Sequence, residues 1–175
     1  MAGVTSLHEL RADRARLESA LAEKERALGP DHPELANDLR DLGRLVHELR
    51  DLASSVTLLE RARALHIAAL GADHPEVATD TNHLGLVLHD IGELEAAQAL
   101  FEQALAIDER AVGPLHPSVG RDANNLAGVL RDQGDLLAAR SALEWALGIY
   151  RAALGPDHPT TKSVARNLEG LGGST

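Results

Sequence analysis

The sequence predicts an all-α fold, a solenoid of stacked antiparallel helix pairs with about eight helices, and three observations carry that prediction. A Gly-x-x-His-Pro phrase recurs at Gly29, Gly71, Gly113 and Gly155, each separated by 42 residues. Between the phrases, apolar residues fall at the i, i+3, i+4 and i+7 steps of a helix face. Hydrophobic residues make up 44% of the chain, yet Phe101, Tyr150 and Trp145 are its only aromatics, so burial rests on Leu, Ala, Ile and Val. That mixture favours helices over sheets. A fixed period of this size marks a unit that cannot bury its apolar face alone and must stack on its neighbours.

The elements follow in chain order. A lone helix over residues 6–28 opens with the capping-box pair Ser6 and Glu9 and places Leu10, Leu17, Ala20 and Leu28 in register with Leu52, Leu59, Ala62 and Leu70. Repeat 1 (29–70) carries Leu35, Leu39, Leu42, Leu45 and Val46 on its first helix, then Leu52, Val56, Leu59, Ala62, Leu65 and Ala69 on its second. Repeat 2 (71–112) echoes this with Val77, Leu84, Val87, Leu88 and Ile91, then Leu94, Ala97, Phe101, Ala104, Leu105 and Ile107. Repeat 3 spans 113–154, a capping helix 155–171, and a polar tail 172–175 is expected to be flexible.

The recurring phrase joins a helix stop to a helix start. Gly suits the end of one helix, and Pro suits the first position of the next, where its missing amide costs nothing. Asp31 with Glu34 and Asp73 with Glu76 have capping-box spacing, while His32 and His74 precede Pro and compete for the same role; the sequence leaves both open. Within each repeat a second break falls at Gly92 and Gly134, with Arg50 in the corresponding place of repeat 1. A side chain held in the left-handed region there costs about 1 kcal/mol, so repeat 1 is either slightly strained or joined differently.

Composition narrows the function classes. With no cysteine there is neither a disulfide framework nor a thiolate centre. A formal net charge of −10 disfavours nucleic acid and anionic membrane surfaces, and no apolar run approaches a membrane span. Nothing near Met1 resembles a secretory signal, so the expected address is cytoplasmic. Basic charge is almost wholly Arg, which together with abundant Ala, Gly, Leu and Asp reads as GC-rich coding and a bacterial source. No HExxH, phosphate-cradling loop or nucleophile elbow occurs, and His83 and His89 lack the i, i+4 spacing of paired ligands on one helix face. The chain is therefore read as neither an enzyme nor a metal protein, with no cofactor. The histidines of the corners are separated by whole helix-packing steps of about 10 Å, too far to share a metal.

Leu84-Gly85 followed by Ala97, Phe101, Ala104 and Leu105 resembles the tetratricopeptide repeat signature, stretched to 42 residues. That length, with the HPxVA and NNLA phrases, is similar to the kinesin light chain type. HEAT and armadillo arrays share similar periods but not the glycine-proline phrase. The resemblance covers 29–154 as three repeats, with Glu169 standing where Gly43, Gly85 and Ala127 occur, as befits a final helix with no partner behind it.

The resemblance implies a right-handed superhelix whose first helices line a concave groove for a peptide or protein segment. It places Arg40, Asn82, Asn124 and Arg166 in one inner row, Asn37, Thr79, Arg121 and Ser163 beside them, Arg44, Leu86 and Gly128 deeper, and His47, His89 and Arg131 beyond. In such families inner-wall Asn side chains hold peptide backbone, which implies that role for Asn82, Asn124, Asn125 and Asn167. The arginines point to an acidic peptide or a terminal carboxylate, unless the acidic residues on the same helices neutralise them. Trp145 and Tyr150 fall at positions that are polar in the other repeats. They are expected either on a semi-exposed face, as a contact for a second copy or another partner, or as cover for the last helix. Adaptor is the favoured role; the alternative is a self-assembling or sensing array of a larger bacterial signalling protein.

Overall fold

The structure, a computed structural model, describes residues 7–172 and contains eight α-helices and no strand among them. It resolves into two compact units, Met1–Ala72 and Asp73–Thr175, which part beside the second His-Pro corner. The first holds α1 (Leu7–Leu28), a 3-10 turn at Pro33–Leu35, α2 (Ala36–Glu48) and α3 (Leu52–Leu70). The second holds α4 (Pro75–Ile91), α5 (Leu94–Val112), α6 (Pro117–Asp132), α7 (Leu136–Leu154) and α8 (Pro159–Gly172). Gly172, expected in the tail, closes α8; Ser6 and residues 173–175 lie outside the described residues.

The corners decide the capping question in favour of histidine. His32, His74, His116 and His158 each turn Nδ1 to the backbone N–H two residues on, of Glu34, Glu76, Ser118 and Thr160, at 3.2–3.3 Å. The ring nitrogen thereby satisfies one of the amides that a helix start leaves orphaned. Pro then occupies the first helical position. In repeat 1 the corner continues as a 3-10 turn before α2 begins at Ala36, a tighter start than the helix expected from Pro33.

All three turns inside the repeats use one geometry. Asp51, Glu93 and Asp135 donate their backbone N–H to Val46, Leu88 and Leu130 at 2.9–3.0 Å, the six-to-one bond of a Schellman close. Gly92 and Gly134 sit at φ 95° and 89°, and Arg50 adopts φ 62°. Repeat 1 is thus joined like the others and carries the left-handed strain on a side chain.

In the first unit, Leu21 and Leu17 of α1 meet Leu39, Leu42, Val46, Ala62 and Leu65 in one core. Polar bonds fix the same approach: Lys24 Nζ reaches Asp38 at 2.8 Å, Arg14 reaches Asp51 at 3.0 Å, and Arg61 grips Glu25 and the Pro30 carbonyl. In the second unit α4 pairs with α5 and α6 with α7, while α5 packs on α6 and α7 on α8.

The pairs close tightly because one residue in each first helix is nearly bare. A Cβ at Gly85 would stand 2.7 Å from Phe101 Cε1, and one at Gly43 would stand 2.9 Å from Leu59 Cγ. Phe101, fully buried, fills the space its facing glycine leaves. Gly85→Ala should lower stability by about 1–3 kcal/mol through overpacking, and Phe101→Ala by about 3 kcal/mol or more through the cavity it leaves; urea unfolding followed by circular dichroism measures both.

Candidate functional site

The second unit brings together five of the ten residues singled out from sequence. Asn124, Asn125 and Arg131 on α6, His89 on α4 and Asn167 on α8 line a depression of about 130 Å³ with Leu86, Ala127, Gly128, Leu143 and Leu171. Sequence reasoning missed two residues of the apolar floor: Leu143 comes from the second helix of repeat 3 and Leu171 from the cap, neither of which the inner-row register includes.

A directed chain of side chains runs from the rim of the depression into the buried wall. Asn167 Nδ2 donates to Asn124 Oδ1 at 3.2 Å, Asn124 Nδ2 to Asn125 Oδ1 at 3.4 Å, Asn125 Nδ2 to Asn82 Oδ1 at 3.2 Å, and Asn82 Nδ2 to Asp122 Oδ1 at 2.7 Å. The links Asn82–Asn125 and Asn124–Asn167 join first helices of successive repeats. Each amide carries two N–H donors and two acceptor lone pairs, so the half-buried Asn124 and Asn125 and the exposed Asn167 keep capacity for a bound chain after serving the ladder.

Asn82 is turned into the wall and does not line the depression. It is 2% exposed, with its oxygen and nitrogen both engaged inside the wall, so its role corrects from contact residue to support for Asn125.

Arg121 is likewise turned inward: its Nε meets Asp122 Oδ1 at 2.9 Å and its Nη2 meets Asp108 Oδ2 at 3.3 Å. Arg131 lies against Asp132 at 2.9 Å, and His89 Nε2 stands 2.7 Å from the other oxygen of that carboxylate. Burial of Asp132 works to raise its pKa, but the bonds from His89 and Arg131 outweigh it and hold the carboxyl below the usual range. On α8, Arg166 Nε leans on the Lys162 carbonyl at 3.4 Å. In the first unit, Arg40 Nη2 donates to Asn37 Oδ1 at 2.5 Å and Arg44 lies 3.9 Å from Asp41. Arg44, Arg121 and Arg131 thus each lie against a carboxylate of the protein.

The aromatic pair separates. Trp145 is 38% exposed on α7, whereas Tyr150 is 6% exposed, packed beside Val164 of α8 in the core of the second unit. The 66/108/150 column is buried in every repeat, with His66 at 5% and Asp108 at 1% exposure. Its polarity in the earlier repeats signalled buried polar pairing and not an outer face. Tyr150 thus belongs to the cover of the cap helix.

Among the described residues no cluster of three or more His, Asp or Glu could hold a metal ion, and no helix is long and apolar enough to cross a membrane.

Asp122 anchors the ladder at its buried end. Desolvation raises its carboxyl to about 7, only partly opposed by Arg121, with Asp108 raising it further, and its Oδ2 has no hydrogen-bond partner among the described residues. Because the folded value lies above the unfolded one, this group's contribution to stability is full at acid pH and is lost as pH rises through about 7. Asp122→Asn keeps an acceptor for Asn82 and Arg121 but removes the titration. Its stability relative to the parent should rise between pH 5 and pH 8; urea melts at both values check the sign.

This construction of helix pairs, with glycine-cleared contacts and a ladder of side chains along the first helices, defines a tandem-repeat interaction fold. Tetratricopeptide repeat models match residues 47–110, and residues 5–34 and 123–160. The chain belongs to the tetratricopeptide repeat family, whose repeats build scaffolds for protein–protein interaction and are typically non-enzymatic. Its fold is that of repeats of kinesin light chain type. The nearly identical TPR-like repeats of Podosopora anserina, described as a kinesin light chain, superimpose with a TM-score of 0.78 at 23% identity over 94% of this chain and 78% of that one. A variant of those repeats gives 0.79, again at 23% identity, over 94% and 77%. BtubC (BKLC) from P. vanneervenii gives 0.81 at 21% identity, over 93% of this chain and 65% of that one. No curated protein matches the sequence.

Proposed function

We propose that the chain is an adaptor that holds an extended peptide or protein segment against the first helices of repeats 2 and 3. The observation that carries this reading is the depression ringed by Asn124, Asn125 and Asn167, where amides fixed by one another stand above an apolar floor. Amides held in place this way lose little freedom on binding, and each matches a peptide unit with a donor and an acceptor together. Arg131, 54% exposed at the rim, is the guanidinium placed to meet an acidic side chain or a terminal carboxylate, in exchange for part of its contact with Asp132.

Asn124→Ala combined with Asn167→Ala tests the reading. Peptides captured by the parent chain should bind the double variant about tenfold more weakly or worse, two hydrogen bonds being lost, while the melting temperature changes little because neither side chain is buried in the core. Unchanged capture in fluorescence polarisation would remove the groove from the account.

A further inference from the structure

Gly128 has no structural need to be glycine. Gly43 and Gly85 face a helix that leaves no space for a Cβ, and one at Gly120 would stand 3.2 Å from the Tyr150 ring. At Gly128 the nearest atom to an added Cβ is His89 Cε1 at 3.9 Å, an ordinary contact, and its φ is not positive. A glycine inside a helix weakens it relative to alanine, and here no close packing or turn offsets that loss. Gly148 and Gly170 are equally uncrowded, but only Gly128 lines the depression.

The repeat register shows what the missing side chain does. Position 128 corresponds to Leu86 in repeat 2, where the leucine occupies the wall and packs in the core cluster with Phe101 and Val129. One repeat later that volume is vacant, bounded by Leu86, Ala127, Leu143 and Leu171 and rimmed by the amides. The depression of about 130 Å³ opens to solvent on one side and to Leu86, Leu143 and Leu171 on the other. It has room for one Leu, Ile, Val or Met side chain. Its ionisable lining residues, His89 and Arg131, are both held by the Asp132 carboxylate, which leaves the vacant apolar volume as the feature that selects.

Resting on the groove reading, we infer that Gly128 opens a specificity subsite that takes one aliphatic side chain of an extended peptide. The amides of Asn124, Asn125 and Asn167 hold the backbone on either side of that residue.

The test pans a phage library of random dodecapeptides on the full chain and remakes the selected sequences as fluorescein-labelled peptides. They should share one Leu, Ile, Val or Met, and replacing it by Ala should weaken binding about tenfold. Gly128→Leu, a residue the equivalent position already carries, should weaken the parent peptides about tenfold yet leave the Ala-substituted peptides unchanged. Gly128→Ala should act the same way to a smaller degree while raising the melting temperature, which separates a filled subsite from a damaged fold. Parent peptides that bind Gly128→Leu as tightly as the unmodified chain, or that converge on Trp, overturn the subsite even if Asn124→Ala with Asn167→Ala still abolishes capture and so retains the groove. A library that yields no binder, or binders indifferent to all these variants, overturns both.

Discussion

The spacing between the two helices of a repeat is set where a first helix presents bare backbone to a bulky side chain of the second. At Gly85 the fully buried ring of Phe101 lies against the backbone itself, and at Gly43 Leu59 does the same. Repeat 3 puts Ala127 opposite Leu143, both buried in one cluster. Dispersion between closely packed surfaces is small per atom pair and large in sum. A wall built this way tolerates little change in side-chain volume at that contact. The same closeness aligns the first helices of the second unit so that Asn82 reaches Asn125, and Asn124 reaches Asn167, across 43 residues of sequence.

On that frame the polar residues divide by depth. At the buried end, Asp108, Arg121, Asp122 and Asn82 form a charged and amide network whose members face one another. Burial of a carboxylate is costly unless it is paired, and here a single guanidinium serves two of them. Toward solvent the same ladder passes to Asn125, Asn124 and Asn167, the last of them exposed. The buried part orients the exposed part: each amide is turned by the one beneath it.

Most of the fold was legible because the repeat writes its punctuation openly. A 42-residue stride, helix-spaced leucines and a glycine-proline corner leave few alternatives. The choice of cap was not legible, since Asp31 and His32 are neighbours and only the backbone conformation of the corner decides which side chain reaches the amide. The candidate site was legible by rows and not by depth. Register put Asn82 and Asn124 in one row, but Asn82 has a further first helix packed over it and Asp122 within reach, whereas Asn124 borders the open depression. The 66/108/150 column misled for the same reason: polar residues there pair inside the protein, so Tyr150 at the end of the column is buried and not displayed. Leu143 and Leu171 escaped because they reach the depression from a second helix and from the cap.

Beneath all of this, the bare position and the ring opposite determine each other. A double-mutant cycle of Gly85→Ala and Phe101→Leu, read by urea unfolding, measures that directly. Strong coupling is expected, about 1 kcal/mol or more, with the added methyl far better tolerated once the ring is gone. Additive effects within about 0.3 kcal/mol would contradict it, because the two helices would then be held at their distance by something other than this contact.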